Sequence, residues 1–235
     1  MILIGLVVFL AAMIQGLLGF GGALIAMPLL VGLVGIKTAT PVFALIGTLA
    51  TLLNTIRWHE HTTPRDLVRL VIPAAAGIPL GIALLSRVDA GLVTAILGTI
   101  LIVYALYNLL GWILPPLHHR GWAVVAGFSS GVLSGAFNTG GPPVIVYATA
   151  RQWPADRFRG NLQAYFLVIS LLLLVGHGIS GHFTPGVWRM ALWAVPALLL
   201  GQLAGVRLCK YVEPALFRKL VLVFLLILGV QLVIG

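Results

Sequence analysis

The chain has little charge and almost no cysteine. Only 8% of its 235 residues are charged, whereas 60% are hydrophobic, and its mean hydropathy is +1.12. A soluble domain would need far more charge to cover its surface. The single cysteine, Cys209, excludes an internal disulfide and any chemistry that needs several thiols. The composition therefore predicts an all-α polytopic membrane protein that lies almost entirely within the bilayer.

Acidic residues are especially rare. Five Asp and Glu stand against 14 Lys and Arg, which gives a net charge of +9. The basic residues lie in short connections between apolar segments, as is typical of loops on the cytoplasmic face, and this pattern argues against a nucleic-acid partner. The five acids all lie in predicted loops or at segment ends: Glu60, Asp66, Asp89, Asp156 and Glu213.

Other kinds of chemistry are also missing from the sequence. Proton-coupled carriers commonly place an acid within the membrane, and since none is found there we expect a facilitative or weakly coupled pathway. The sequence has no recognisable nucleophile–base constellation and no phosphate-binding motif, so we expect neither an enzyme nor a cofactor. Two histidine clusters, His59-Glu60-His61 and His118-His119, lack a third or fourth ligand nearby, so no metal site is expected.

Apolar segments occupy most of the chain, at 2–35, 39–57, 66–86, 90–113, 121–150, 160–180, 186–208 and 213–234. One crossing of a bilayer needs about 20 residues. The first and fifth segments have 30 residues or more, too long for one straight span and too short for two spans with a turn. No basic region precedes Ile2, so we expect a retained helix at the N-terminus and not a cleaved signal peptide.

Each long segment is broken near its centre by glycines, at Gly19-Phe20-Gly21-Gly22 and at Asn138-Thr139-Gly140-Gly141. The second break continues into Pro142-Pro143, which a plain membrane helix would avoid. Further pairs follow the glycines in order at an offset that rises from 119 to 124: Gly21-Gly22 with Gly140-Gly141, Thr63-Pro64 with Thr184-Pro185, Pro73 with Pro196, and Gly77, Gly81 and Val88-Asp89 with Gly201, Gly205 and Val212-Glu213. The chain is therefore predicted to contain two repeats, 1–115 and 121–235, each with a re-entrant or discontinuous first segment and three transmembrane helices.

The positions of the basic residues distinguish two arrangements of these repeats. If each long segment crosses once, five basic residues face nine, the five being Arg57, Arg65, Arg69, Arg120 and Arg189. If each segment re-enters at its glycines, Lys37, Arg87 and Arg189 lie on one side and 14 − 3 = 11 lie on the other. The second arrangement follows the positive-inside rule much better. Because three spans is an odd number, it also inverts the second repeat and brings the tips of the two re-entrant segments together near the midplane. Both arrangements place both termini outside the cytoplasm.

The second break is suited to binding an anion. A helix that restarts inside the membrane presents unpaired N–H groups and the positive end of its dipole. Pro142-Pro143 fit the first turn of such a helix. The N–H groups of Thr139 to Gly141 could form an anion-binding nest, and the side chains of Asn138 and Thr139 could donate to the same ligand. The alternative is that Asn138 or Thr139 merely caps the helix.

Two regions resemble the signatures of the TauE/SafE family of membrane transporters. The first is Gly19 to Gly22 leading to Met27-Pro28, and the second is Asn138 to Pro143 followed by Arg157-Phe158-Arg159-Gly160-Asn161-Leu162. The resemblance extends over essentially the whole chain. It implies transport of a small sulfur-containing anion of the sulfite, sulfonate or thiosulfate type across the cell inner membrane. It determines neither the substrate nor the direction.

The predicted binding site combines both breaks with three further polar residues: Asn138, Thr139, Gly140, Gly141, Gly21, Gly22, Gln15, Arg159 and Gln163. Gln15 could donate to the anion or form an interhelical hydrogen bond. Arg159 belongs to the Phe-Arg-Gly element by resemblance, and it could bind the anion, guard the inner mouth or only set the topology. Gln163 faces either the pathway or a neighbouring helix. His177, near the end of the sixth segment, could sense pH or be a satisfied interfacial histidine.

The expected function is export of the anion, because an inside-negative potential expels each negative charge with about 2.3 kcal/mol per 100 mV. An anion channel, an importer of a related organosulfur anion and a structural membrane subunit are the alternatives. The expected partners are the anion, the lipid bilayer and, as one option, further copies of the chain.

Overall fold

The computed structural model describes residues 1–112, 115, 117, 119, 121–208, 211 and 214–234, and for 214–218 the backbone alone. In these residues the chain forms ten α-helices and no strand, which confirms the all-helical class. The helices are α1 (Ile2–Leu18), α2 (Gly22–Val34), α3 (Ile36–Trp58), α4 (Pro64–Arg87), α5 (Ala90–Leu109), α6 (Gly121–Phe137), α7 (Gly141–Ala150), α8 (Ala155–Ile179), α9 (Pro185–Leu208) and α10 (Pro214–Ile234), with a 3-10 turn at His59–His61.

The first long segment folds back on itself as a hairpin of α1 and α2. The turn uses left-handed backbone at Gly19 (φ 82°) and Gly21 (φ 92°), which glycine adopts without a steric penalty. After the turn, Gly22 lies against Ala11 and Gln15 of α1. A continuous helix would separate residues 11 and 22 by about 16 Å at 1.5 Å per residue, so their contact shows that the chain reverses direction.

The second long segment forms a matching hairpin of α6 and α7. The turn lies at Asn138, whose φ of 53° is tolerated better by asparagine than by most side chains. The two ends of the hairpin meet where the N–H of Leu117 donates to the carbonyl of Ala150 at 3.2 Å. Thus both glycine breaks reverse the chain.

Glycines let each hairpin pack closely on a helix of the other half of the chain. Small residues at such contacts allow two helix backbones to approach. Glycines on α4 lie against carbonyls of α6, and glycines on α9 lie against carbonyls of α1. The contacts are Gly77 with Phe128, Gly81 with Val132, Gly201 with Phe9 and Gly205 with Met13.

Within the described residues, five helical stretches are long and apolar enough to cross a membrane: Ile36–His61, Pro64–Arg87, Ala90–Leu109, Ala155–Ile179 and Pro185–Leu208. The helices α1, α2, α6 and residues Lys219–Ile234 of α10 are apolar but shorter. The chain is therefore an integral membrane protein.

Helix α8 differs from its predicted bounds, because it begins at Ala155 and not at residue 160. Its charged first turn is helical since Pro154 precedes it and Arg157 forms an ion pair with the buried Asp66 of α4. Several residues used in the sequence argument lie outside the described part of the chain: His118, Arg120, Cys209, Lys210, Val212, Glu213 and the side chain of Arg218.

Candidate functional site

The first turns of α2 and α7 face one central cavity between α3 and α8. The cavity reaches Gly47 near the middle of α3 and Phe166 near the middle of α8, so it lies deep within the helical body. About 70 Å³ of it admits the centres of water molecules. A single water needs roughly 10–15 Å³ by this measure, so the cavity is large enough for a few waters or a small oxyanion.

The α2 side of the cavity contributes backbone donors. Gly21 to Leu24 line the cavity at the start of α2, and no side chain caps this helix. The first N–H groups of a helix have no intrahelical acceptor, and α2 has no proline in its first turn. The first break thus offers more backbone donors than sequence reasoning assigned to it.

The α7 side contributes a hydroxyl and fewer N–H groups. Pro142 and Pro143 lack N–H groups, so the first turn of α7 offers mainly Gly141, and no side chain caps it. Thr139 lines the cavity, is 1% exposed, and its Oγ1 has no hydrogen-bond partner in the described structure. A buried hydroxyl without a partner costs free energy, which a bound anion would recover.

Hydrogen bonds hold the tip of the second hairpin, Asn138 to Gly140, in place. The Nδ2 of Asn138 donates to the carbonyl of Thr40 on α3 at 2.6 Å. The hydroxyl of Ser130 donates to the carbonyl of Gly140, and the hydroxyl of Tyr165 donates to Ser130 at 2.8 Å. Asn138 therefore ties the tip to α3, although it also lines the cavity.

The structure brings seven of the nine predicted residues together around the cavity: Gln15, Gly21, Gly22, Asn138, Thr139, Gly140 and Gly141. Gln163 does not line it, and its Nε2 donates to the carbonyl of Gly19 at the first break. Arg159 does not line it either. Its side chain is 47% exposed, and its guanidinium lies 5.1 Å from the centre of the Trp58 ring.

Sequence reasoning did not find several cavity residues, among them Ser134, Thr51 and Ser170. The offset between the two repeats provides a signal for these residues. Ser134 lies 134 − 15 = 119 residues after Gln15, and Ser170 lies 170 − 51 = 119 residues after Thr51. Extending the offset of the glycine pairs to polar residues would have found them.

Buried amides form a polar layer on the Arg157 side of the cavity. The Nε2 of Gln202 donates to the Oδ1 of Asn54 at 2.6 Å, while the Nδ2 of Asn54 and the Oε1 atoms of Gln202 and Gln163 have no partner in the described structure. Buried polar atoms of this kind commonly bind water.

Charged side chains are absent from the described lining of the cavity. Its polar groups are N–H dipoles, hydroxyls and the two side-chain amides of Gln15 and Asn138, so the potential there comes mainly from the two helix N-termini. Within the described residues no three His, Cys, Asp or Glu side chains come together as a metal site.

Many secondary transporters combine membrane-spanning helices with two half-helices that meet at a buried cavity, as this chain does. The pattern of the family described as sulfite exporter TauE/SafE matches residues 4–232, and the chain belongs to this family. Over 229 residues it is 28% identical to the "Probable sulfite/organosulfonate exporter TauE" of Cupriavidus necator, covering 94% of this chain and 88% of that protein. No solved structure matches the chain. The family predicted from the two breaks is thus confirmed, and the chain is a membrane transporter of a sulfur-containing anion.

Proposed function

We propose that the protein exports a small anion of the sulfite, sulfonate or thiosulfate type from the cytoplasm, and that the anion binds in the central cavity. One observation carries this proposal. The uncapped N-termini of α2 and α7 meet at a buried cavity, beside a Thr139 hydroxyl that has no partner.

The chemistry of the cavity favours an anion that must also leave again. Helix N-termini stabilise a negative charge by up to about 2 kcal/mol in partly buried sites. Arginine would hold an oxyanion more tightly through bidentate hydrogen bonds, and Arg159 is exposed at the surface. A site of neutral donors supports moderate affinity, as a carrier needs for release.

We propose in addition that the two halves are inverted repeats. Corresponding residues at an offset of 119 line the cavity from both halves, as Gln15 and Ser134 do. The packing glycines Gly77 and Gly201 are 124 apart, and their partners Phe128 and Phe9 are 119 apart. This agreement supports duplicated halves, 1–115 and 121–235, related by a pseudo-two-fold axis.

The hairpins also support the re-entrant topology. When α1–α2 and α6–α7 each enter and leave on one side, Lys37, Arg87 and Arg189 face away from the cytoplasm and the other eleven basic residues (14 − 3) face it. Both termini then lie outside the cytoplasm, and the membrane is the inner one.

A screen of the purified protein by thermal shift tests the substrate class. Sulfite, thiosulfate, sulfoacetate and taurine would be compared with sulfate and chloride. A ligand at 100 times its Kd adds about 2.7 kcal/mol to the free energy of unfolding, so the true substrate raises the midpoint clearly. If none of the sulfur-containing anions shifts it and chloride does, the substrate class is wrong.

Flux through proteoliposomes separates the exporter from its alternatives. A carrier gives flux that saturates with concentration and is competed for by analogues, whereas an anion channel gives single-channel currents. An inside-negative potential should speed outward movement of a net negative charge. Accumulation against a gradient that a protonophore abolishes and the potential leaves unchanged would instead identify an importer.

A further inference from the structure

Two histidines lie beside the cavity at the end of the molecule opposite Arg157. His177 is on the buried face of α8 and is 0% exposed. It follows the cavity residue Leu173 by four residues, about 6 Å along the helix at 1.5 Å per residue. His182, in the connection to α9, places its Nδ1 2.8 Å from the Nδ1 of His177.

Hydrogen-bond geometry determines which ring nitrogens carry protons. The hydroxyl of Ser86 on α4 donates its only proton to the carbonyl of Ile82 at 2.8 Å. With this proton used on Ile82, we assign the Ser86 oxygen as the acceptor for the Nε2 of His182, which lies 3.3 Å away. His182 accordingly carries its proton on Nε2, and its Nδ1 is an acceptor.

The same logic continues to His177. Because the Nδ1 of His182 accepts, the Nδ1 of His177 donates to it, and a neutral His177 then has a bare lone pair on Nε2. This Nε2 is buried and has no partner in the described structure. An unpartnered buried base can take up a proton without breaking any existing hydrogen bond.

The histidine pair can bind one additional proton. A proton on the Nε2 of His177 leaves the Nδ1–Nδ1 hydrogen bond intact, whereas a second proton, on the Nδ1 of His182, would break it. Burial lowers the pKa of His182 below its usual value, in agreement with a neutral acceptor. Burial also disfavours a charge on the fully buried His177, so we expect its proton to bind together with the anion, whose negative charge offsets this cost.

The other groups around the pair do not compete for this role. Phe183 contacts the His177 ring, and Gly176 lies against Ile82 of α4. At this end of the neighbouring helices the charged residues are Arg87, in the last turn of α4, and Arg189, the fifth residue of α9. Neither forms a hydrogen bond or an ion pair with a histidine ring in the described part of the chain.

We propose that the Nε2 of His177 is a proton-binding site that strengthens anion binding in the adjacent cavity. The inference rests on the proposed anion site. A proton bound there adds a full positive charge one helical turn from a cavity whose own donors are neutral. Acid on this side then holds the anion more tightly and slows its release.

The tautomers can be read without any anion, by nitrogen-15 NMR of the histidine side chains of the purified protein. His177→Asn and His182→Gln assign the two rings among the six histidines. We expect a bare Nε2 on His177 and a protonated Nε2 on His182. A protonated Nε2 on His177 at neutral pH would overturn the proposal.

The coupling is tested by thiosulfate binding as a function of pH, since the charge of this anion is constant near neutrality. We expect the wild type to bind up to about tenfold more tightly per unit fall in pH, the limit for one linked proton. His177→Asn keeps an N–H for His182 but lacks the base, so it should match the wild type at alkaline pH and be independent of pH. His59→Gln, an exposed histidine, should keep the wild-type dependence.

The outcomes separate the two proposals. If the wild type binds neither thiosulfate nor any other sulfur-containing anion at any pH, the anion site itself is refuted. Binding that is the same at all pH values in the wild type, or that keeps its pH dependence in His177→Asn, would refute the proton site alone.

Discussion

At the scale of single residues, the site depends on neutral donors that have no other partner. The Thr139 hydroxyl is buried at the tip of the second hairpin and unpaired in the described structure. Groups that already have a hydrogen-bond partner within the protein, such as the Asn138 amide bound to the Thr40 carbonyl, hold the site in position. This division predicts opposite effects on binding and on stability.

Thr139→Val removes the hydroxyl and preserves the shape of the side chain. Hydrogen bonds to charged groups contribute about 1.5–3 kcal/mol, so anion affinity should fall roughly ten- to a hundredfold. The free energy of unfolding without ligand should stay equal or rise, because an unpaired buried group is removed. Titration calorimetry and chemical or thermal unfolding measure the two quantities. Thr149→Val, at an exposed position of α7, the helix that follows Thr139, should change neither, and an unchanged affinity in Thr139→Val would exclude Thr139 from the site.

Gly141→Ala should weaken binding while the protein still folds. An added Cβ would lie 3.4 Å from Ile145 and 3.6 Å from Phe166, which is ordinary van der Waals contact. Because Gly141, Ile145 and Phe166 all line the cavity, the added methyl group would lie at the cavity wall. Gly to Ala in a compatible conformation stabilises by about 0.4–1 kcal/mol. We expect the loss of affinity to be larger for sulfoacetate than for sulfite, as measured by competition in a binding assay. Equal loss for both anions would mean that Gly141 does not limit the size of the ligand.

At the scale of elements, the half-helices are positioned by close backbone contacts across the two halves. Gly131 of α6 lies against the carbonyl of Ala74 on α4 with no space for a Cβ. Helix α6 leads directly into the turn at Asn138, so we expect a displacement at this interface to reach the cavity.

Gly131→Ala should lower the free energy of unfolding by about 1–3 kcal/mol, the usual cost of overpacking. Gly32→Ala is the matched control, since Gly32 lies inside α2 with nothing within 4 Å of an added Cβ. It should stabilise by up to about 1 kcal/mol through helix propensity. Thermal unfolding in detergent compares them, and equal stability of the two variants would show that the α4–α6 contact is loose.

At the scale of the whole molecule, the two halves complement each other. The first hairpin packs on α9 of the second half, and the second hairpin packs on α4 of the first half. Hydrogen bonds at the two hairpin turns also connect the halves. The Gln163 side chain of the second half donates to the Gly19 carbonyl at the first turn, and the Asn138 side chain at the second turn donates to the Thr40 carbonyl of the first half. Neither tip is held by its own half alone, so relative movement of the halves would move both tips.

Cysteine labelling tests the topology in a Cys209→Ser background. Lys37→Cys follows the first hairpin and should react with an impermeant reagent added outside whole cells. Ala155→Cys, an exposed position at the start of α8, should react only after the cytoplasm is opened. Labelling of residue 37 from the cytoplasmic side would refute the re-entrant arrangement.

The sequence by itself determined the membrane class, the family and the two breaks. These depend on local chemistry: composition decides which solvent a surface can face, and glycine at Gly19 and Gly21 or proline at Pro142-Pro143 restricts the backbone wherever it occurs. The fold class and the placement of seven predicted residues around one cavity followed from that reasoning.

Only the tertiary structure decided which polar groups are left for a ligand. Gln163 and Arg159 have suitable chemistry, but the first is bound to Gly19 and the second lies at the surface. Thr51 and Ser170 reach the cavity only because α3 and α8 pass beside it, and the buried Nε2 of His177 has no partner in the described structure. A hydrogen-bonding group is available only when no neighbour uses it, and its neighbours are set by packing between distant segments.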